Sequence, residues 1–184
     1  MKIINLFKIL IFFIISTHFV LANNNVPKPI GFIIENNVEA LSQWIKSNGD
    51  VNYAIGNMPI VMFTVYEECR FDSLKLLLEK GVSPNTKGEL DISLLHMASD
   101  HTDTSCLQLL ISEGASLDSI DEYHRTAYYY AMMSDNKKAI DILYKKGLSL
   151  FIKDKLGFDV IHTSIVKDKH YLFKNILEAL YEAS

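Results

Sequence analysis

Apolar residues along this chain cluster at helical spacing, not in strand-like alternation. Four clusters share one shape: Ala40–Asn52, Ser73–Asn85, Cys106–Asp118 and Ala139–Phe151. Each carries Leu, Ile or Val at helical spacing, most fully at i, i+2, i+3 and i+4 in Leu74, Leu76, Leu77 and Leu78, and in Leu107, Leu109, Leu110 and Ile111. Each then reaches a glycine, and Gly49, Gly81, Gly114 and Gly147 are spaced 32, 33 and 33 residues apart. A second signature recurs as Met58-Pro59-Ile60-Val61, Ser93-Leu94-Leu95-His96, Thr126-Ala127-Tyr128-Tyr129 and Asp159-Val160-Ile161-His162. It starts 12 residues after each of Gly81, Gly114 and Gly147, and 21 residues separate Ser93 from Gly114 and Thr126 from Gly147. Two independent fixed spacings define a repeat of about 33 residues.

Each repeat predicts a short helix opened by the signature, a polar turn such as Ser134-Asp135-Asn136-Lys137, and a second, more apolar helix. The glycine ends that helix in a φ > 0 conformation, and a turn or hairpin follows. One helix pair cannot bury this much apolar surface alone, so units must stack. The pattern resembles the ankyrin repeat, whose unit of about 33 residues begins T-P-L-H-x-A. Ser93-Leu94-Leu95-His96-Met97-Ala98 keeps that motif loosely, His and Ala included. Asp121-Glu122-Tyr123-His124-Arg125-Thr126 resembles the D-x-x-G-x-T hairpin with His124 in place of Gly, and Asp154–Asp159 keeps Gly157 but loses the Thr. The tetratricopeptide pattern, of similar period, is absent.

The expected fold is therefore all-α: an ankyrin-like solenoid over 30–184, with units at about 30–52, 53–85, 86–118, 119–151 and 152–184. The first unit lacks the signature and reads as a cap. From Gly49 to Met58 is only 9 residues and from Met58 to Gly81 is 23. The first hairpin is thus clipped and the turn around Glu67-Glu68-Cys69-Arg70 enlarged. In the last unit, Lys174, Asn175 and Glu178 lie among Leu172, Phe173, Ile176 and Leu177, the polar outer face that a terminal repeat needs.

Residues 1–22 read differently. Lys2 and Lys8 flank the start, Ile9–Ile15 is wholly apolar, Val20-Leu21-Ala22 puts small residues at −3 and −1, and three asparagines follow. This is the order of a secretory signal peptide cut after Ala22; Ser16-Thr17-His18 interrupts the apolar run that a spanning helix would need. Residues 23–29 read as a flexible lead-in. Cleavage lowers Lys and Arg from 18 to 16 against 22 Asp and Glu, a net charge of −6. That balance argues against a nucleic-acid partner. The expected location is the periplasm or cell exterior, without stable membrane insertion after cleavage, as a monomer.

Little catalytic chemistry is legible. No nucleophile elbow, phosphate-binding glycine loop or H-E-x-x-H is present, so the chain is expected not to be an enzyme and to need no cofactor. His96, His101 and Cys106 do not share a helix face, and no metal site is expected. Cys69 and Cys106 sit at different register positions in neighbouring units. Two free, buried thiols are expected, with a disulfide as the alternative. Tyr128-Tyr129-Tyr130 cannot all face inward on a helix, so at least one should be exposed, with Tyr128 in the core.

The resemblance implies a protein-binding scaffold whose partner meets the hairpin tips and the inner face of the first helices. Here that surface would be Glu89, Leu90, Ile92, Asp100, His101, Glu122, Tyr123, Arg125, Met133, Lys155 and Phe158. Tyr123 and Arg125 carry no core duty in this register. The chain is similar to small periplasmic ankyrin-repeat proteins of Gram-negative bacteria. That implies an immunity protein masking a toxic effector or, alternatively, a secreted effector acting on a host protein. A metal or redox accessory protein is the alternative of a different class.

Overall fold

The computed structural model describes residues 27–166. The expected signal segment, its expected cut after Ala22, and the expected second helix of the last unit lie outside the described residues. Eight helices run in order through the described chain: α1 (Lys28–Ile34), α2 (Val38–Lys46), α3 (Phe71–Glu79), α4 (Leu94–Asp100), α5 (Ser105–Ser112), α6 (Ala127–Met133), α7 (Lys137–Lys145) and α8 (Val160–Val166). One two-residue hairpin, β1 (Ala54–Ile55) with β2 (Met58–Pro59), precedes a 3-10 helix, Ile60–Thr64. Pro59 sits just before that helix, where its missing N–H is harmless, and Ile60, Val61, Met62 and Phe63 are all buried.

The helices pair within a unit and stack against the same helix of the next. First helices pack on first helices (α4 on α6, α6 on α8), and second on second (α2 on α3, α3 on α5). Leu41, Leu74, Leu77, Leu107, Leu110, Ala139 and Leu143 form one continuous core row along the second helices, each 0% exposed. Leu110 belongs to this row, whereas Leu109 is half-buried and Lys138 exposed. Leu110→Ala should lower unfolding free energy by about 2–5 kcal/mol. Leu109→Ala should cost less, and Lys138→Ala should stay within about 0.5 kcal/mol. Urea midpoints of the three variants check the register.

Helix ends follow from local chemistry. Gly81, Gly114 and Gly147 have φ of 92°, 87° and 87°, a conformation open to glycine. Gly49 does not share this duty, contrary to the repeat pattern. The positive φ falls on Asn48 (68°), and a Cβ on Gly49 would run into the Trp44 ring. Gly49 is needed for close approach. The first unit is also more than a cap stub: Pro29 starts α1 within its first turn, ahead of residue 30 and inside the expected lead-in, and α1 buries Ile30 and Ile33.

The inter-helix turns bond each unit to the one before. Arg70 Nε donates to the Ile34 carbonyl (3.1 Å), and His101 Nε2 meets the Val65 carbonyl (2.8 Å). The Asn136 amide donates to the Ser99 carbonyl (3.1 Å) while its Oδ1 caps α7 at the Ala139 N–H (3.2 Å). Among the described residues, no buried side-chain nitrogen or oxygen lacks a partner.

Cys69 and Cys106 are not free thiols. They form a disulfide with Cα atoms 5.6 Å apart, correcting the sequence expectation. Register positions alone put Cys69 a helical turn or more from Cys106, on the assumption that this turn runs like the others. The enlarged turn folds back instead, with the Arg70 N–H donating to the Thr64 carbonyl (2.8 Å). Arg70 reaches back to the first unit and its neighbour Cys69 points forward to α5.

Candidate protein-binding face

The hairpins and first helices build one side of the stack. Between the second and third units this side is hollowed into a concavity of about 130 Å³. Met58, Met62, Met97 and Ile92 give it an apolar lining, Tyr66 and Tyr130 add aromatic walls, and Glu89, Asp100 and His101 stand around it. Glu89 and Asp100 are exposed; Ile92 and His101 are half-buried. Three methionines in one hollow make an apolar surface that can adjust to an incoming side chain.

The turn holding Glu89 is strained. Leu90 and Asp91 have φ of 57° and 58°, where a residue with a Cβ costs about 1–2 kcal/mol. The turn is held from the next unit: the Glu122 N–H donates to the Leu90 carbonyl (2.8 Å). The same bond recurs one unit on, from the Lys155 N–H to the Tyr123 carbonyl (3.0 Å), so the hairpin tips form a continuous backbone ladder.

Beside the concavity, Asp121 and Arg125 organise the fourth unit's hairpin. Arg125 Nε donates to Asp121 Oδ2 (2.7 Å), and Asp121 Oδ1 accepts the backbone N–H groups of Tyr123 (2.8 Å) and Arg125 (2.9 Å). The Tyr130 hydroxyl donates to Asp121 Oδ2 (2.8 Å) and accepts from Arg125 (3.2 Å). The guanidinium also lies 4.6 Å from the Tyr123 ring centre and 5.3 Å from those of Tyr129 and Tyr130. Burial alone would raise the Asp121 carboxyl, but the Arg125 hydrogen bonds outweigh it and hold the pKa below the usual carboxylate value. Burial pushes the Tyr130 hydroxyl well above the ordinary phenol value, with the Asp121 carboxylate adding to it.

The expectation that Arg125 has no duty in the fold is thereby corrected. At 7% exposure it is a buried strut. The tyrosine run is corrected too: Tyr128 is in the core, but Tyr129 and Tyr130 are half-buried and none is fully exposed, because Arg125 reaches across both outer rings.

The remaining predicted face residues spread along the same chain segments. Glu122 and Lys155 are exposed, and Tyr123 is half-buried with its ring 6.0 Å from the Lys155 ammonium. Met133 and Phe158 are 39% and 42% exposed. Glu89, Ile92, Asp100 and His101 share the concavity; Met133, Lys155 and Phe158 do not line it. Sequence reasoning missed Met58, Met62, Tyr66, Met97 and Tyr130. Met97 could have been found, since it fills the free position between the signature His and Ala.

Known proteins give this geometry its family. The sequence matches ankyrin repeats (three copies) over residues 61–154, half of the chain. The chain belongs to the ankyrin-repeat family. It is 24% identical over 152 residues to palmitoyltransferase AKR1 of Lachancea kluyveri, covering 79% of this chain and 20% of that protein. It is 29% identical over 131 residues to a transient receptor potential cation channel subfamily A member 1 homolog of Caenorhabditis elegans, covering 58% and 11%. To inversin of Canis lupus familiaris it is 22% identical over 132 residues, covering 71% and 12%. The chain thus spans a fifth or less of these relatives.

Ankyrin repeats are typically non-catalytic protein-interaction units, and the histidine of the ankyrin signature is structural here. His96 Nδ1 accepts the Ser93 N–H (2.9 Å) while Ser93 Oγ accepts the His96 N–H (3.3 Å), a reciprocal cap on α4. His96 Nε2 then donates to the Ser119 carbonyl (2.9 Å) in the next hairpin. Burial lowers its pKa to about 4, against the opposing pull of Asp121. The unfolded chain binds this proton near 6.5 and the folded protein only near 4. The stability contributed by the neutral ring is complete above about pH 6.5 and is lost as pH falls toward 4, a difference of roughly 3 kcal/mol. Asp121 and Asp159, with lowered pKa values, lose their contributions only below the usual carboxylate value. Denaturant midpoints at pH 7 and pH 4.5 should therefore differ more for the wild type than for His96→Gln. Equal losses would contradict the assignment.

Among the described residues, no three His, Cys, Asp or Glu side chains are grouped to hold a metal ion, and no helix is long and apolar enough to cross a membrane.

Proposed function

We propose that this protein is a non-catalytic scaffold, exported to the periplasm or cell exterior, that binds another protein through its hairpins and first helices. The carrying observation is the convergence of Glu89, Ile92, Asp100 and His101 on one Met-lined concavity, continuous with the Tyr123 hairpin through backbone bonds. The Cys69–Cys106 disulfide supports work in an oxidising compartment, in keeping with the signal-like residues 1–22. It also removes the thiolates that a metal accessory protein would use. Within this reading the protein acts by masking: a rigid, stapled face suits inhibition of a toxic effector by an immunity protein.

The test uses the exported fraction of the native cell, with wild type and two double variants as bait. Tyr123→Ala with Met133→Ala removes two face side chains and leaves the hydrogen bonds joining Arg125, Asp121 and Tyr130 in place. Lys75→Ala with Gln108→Ala alters exposed positions on the second helices. The first pair should weaken capture of a specific protein about tenfold or more, and the second should not change it. Loss of capture by the second pair alone would place the binding face on the wrong side.

A further inference from the structure

We propose that the concavity between the second and third units takes an apolar side chain from a basic partner segment, such as a leucine flanked by lysines. This deepens the binding reading above and rests on it. The hollow itself is apolar, built on Met58, Met62, Met97 and Ile92. An occupant must match that with aliphatic or aromatic surface. The ionisable groups around it select the flanks. Glu89 and Asp100 are exposed carboxylates at its edge, and no lysine or arginine is among the described residues lining it. Two cations stand near without lining it: the Lys87 ammonium donates to the Ile120 carbonyl (2.9 Å) in the next unit, and the Arg125 guanidinium behind Tyr130 is paired with Asp121 (2.7 Å). His101 is committed through Nε2 to the Val65 carbonyl. The whole chain carries a net charge of −4, which favours the approach of a basic segment and disfavours an acidic one.

The fit is selective in two independent ways. A segment with basic flanks but no apolar side chain leaves the methionine floor uncovered. A segment with the apolar side chain but acidic flanks sets carboxylates against Glu89 and Asp100. The two tyrosines of the lining are anchored: Tyr130 donates to Asp121, and Tyr66 lies on the turn that the disulfide ties to α5.

The experiment follows the methyl groups of Met58, Met62 and Met97 by NMR in the intact disulfide-bonded protein. Three short capped peptides are titrated in: Lys-Leu-Lys, Glu-Leu-Glu and Lys-Gly-Lys cores. The first should shift the three methyls at roughly fivefold lower concentration than either other peptide, and added salt should reduce that advantage. Glu89→Lys with Asp100→Lys, both exposed, should reverse the preference between the lysine and glutamate peptides. Equal response to all three, absence of response to the first, or an unchanged preference in the double variant overturns the proposal. Methyl shifts that depend on protein concentration alone would assign the hollow to a second copy of the chain, and also overturn it. Should the Tyr123 and Met133 variants lose a captured protein while the methyls ignore the basic peptide, the binding face stands and only the occupant's chemistry fails.

Discussion

Loss of the Cys69–Cys106 disulfide is expected to lower unfolding free energy by up to about 4 kcal/mol. The bond joins residues 37 apart in sequence, and closing a loop of that length removes roughly this much entropy from the unfolded chain. The double replacement Cys69→Ser with Cys106→Ala tests it without leaving a buried polar group at Cys106, which is 0% exposed. Thermal unfolding with and without a dithiol reductant should show a large shift for the wild type and none for the double variant. The effect should also reach the binding face. Tyr66 and His101 sit on the turns that the bond draws together, and the His101–Val65 hydrogen bond spans the same gap. A reductant-insensitive wild type would mean that the two sulfurs are not bonded.

Arg125→Ala is expected to cost about 3 kcal/mol or more, since breaking a buried ion pair strands the remaining charge. Asp121 is 2% exposed and has no other cation in its hydrogen-bond set. Asp121→Ala should be similarly severe, because the hairpin also loses two backbone N–H acceptors and the Tyr130 hydroxyl partner. Removing both residues should cost clearly less than the sum of the single changes, and a double-mutant cycle measured by urea unfolding reads that coupling. Additive losses would show that Arg125 and Asp121 act separately. The pair should be most valuable above the usual carboxylate value and lose its worth as pH falls from there through the lowered Asp121 pKa.

These two features mark where reading the sequence stopped. The repeat was legible because glycine termini and apolar rows obey local rules: Gly81, Gly114 and Gly147 take the φ > 0 position, and Leu74, Leu107 and Leu110 fall into the core as spaced. The signature was legible as a helix start, and the structure gives its histidine the capping role there: His96 caps its own helix. The disulfide was not, because it depends on the path of an enlarged turn, and register counting assumes that turns share one geometry. The Arg125 strut was missed because its partners are Asp121 in its own hairpin and tyrosines on the following helix; a hairpin arginine read by position alone looks solvated. The concavity was half legible. Glu89, Ile92, Asp100 and His101 came from the resemblance to ankyrin repeats, whereas Met58 and Met62 enter from the irregular second unit, where 3-10 helix replaces the usual first helix.

The central claim is that a protein partner meets the hairpins and first helices, and amide hydrogen exchange on the complex with the captured partner tests it most directly. Protection should appear at 88–92, 97–101 and 121–125, with little change in α3, α5 and α7. Protection confined to those second helices, with the concavity unchanged, would contradict the account.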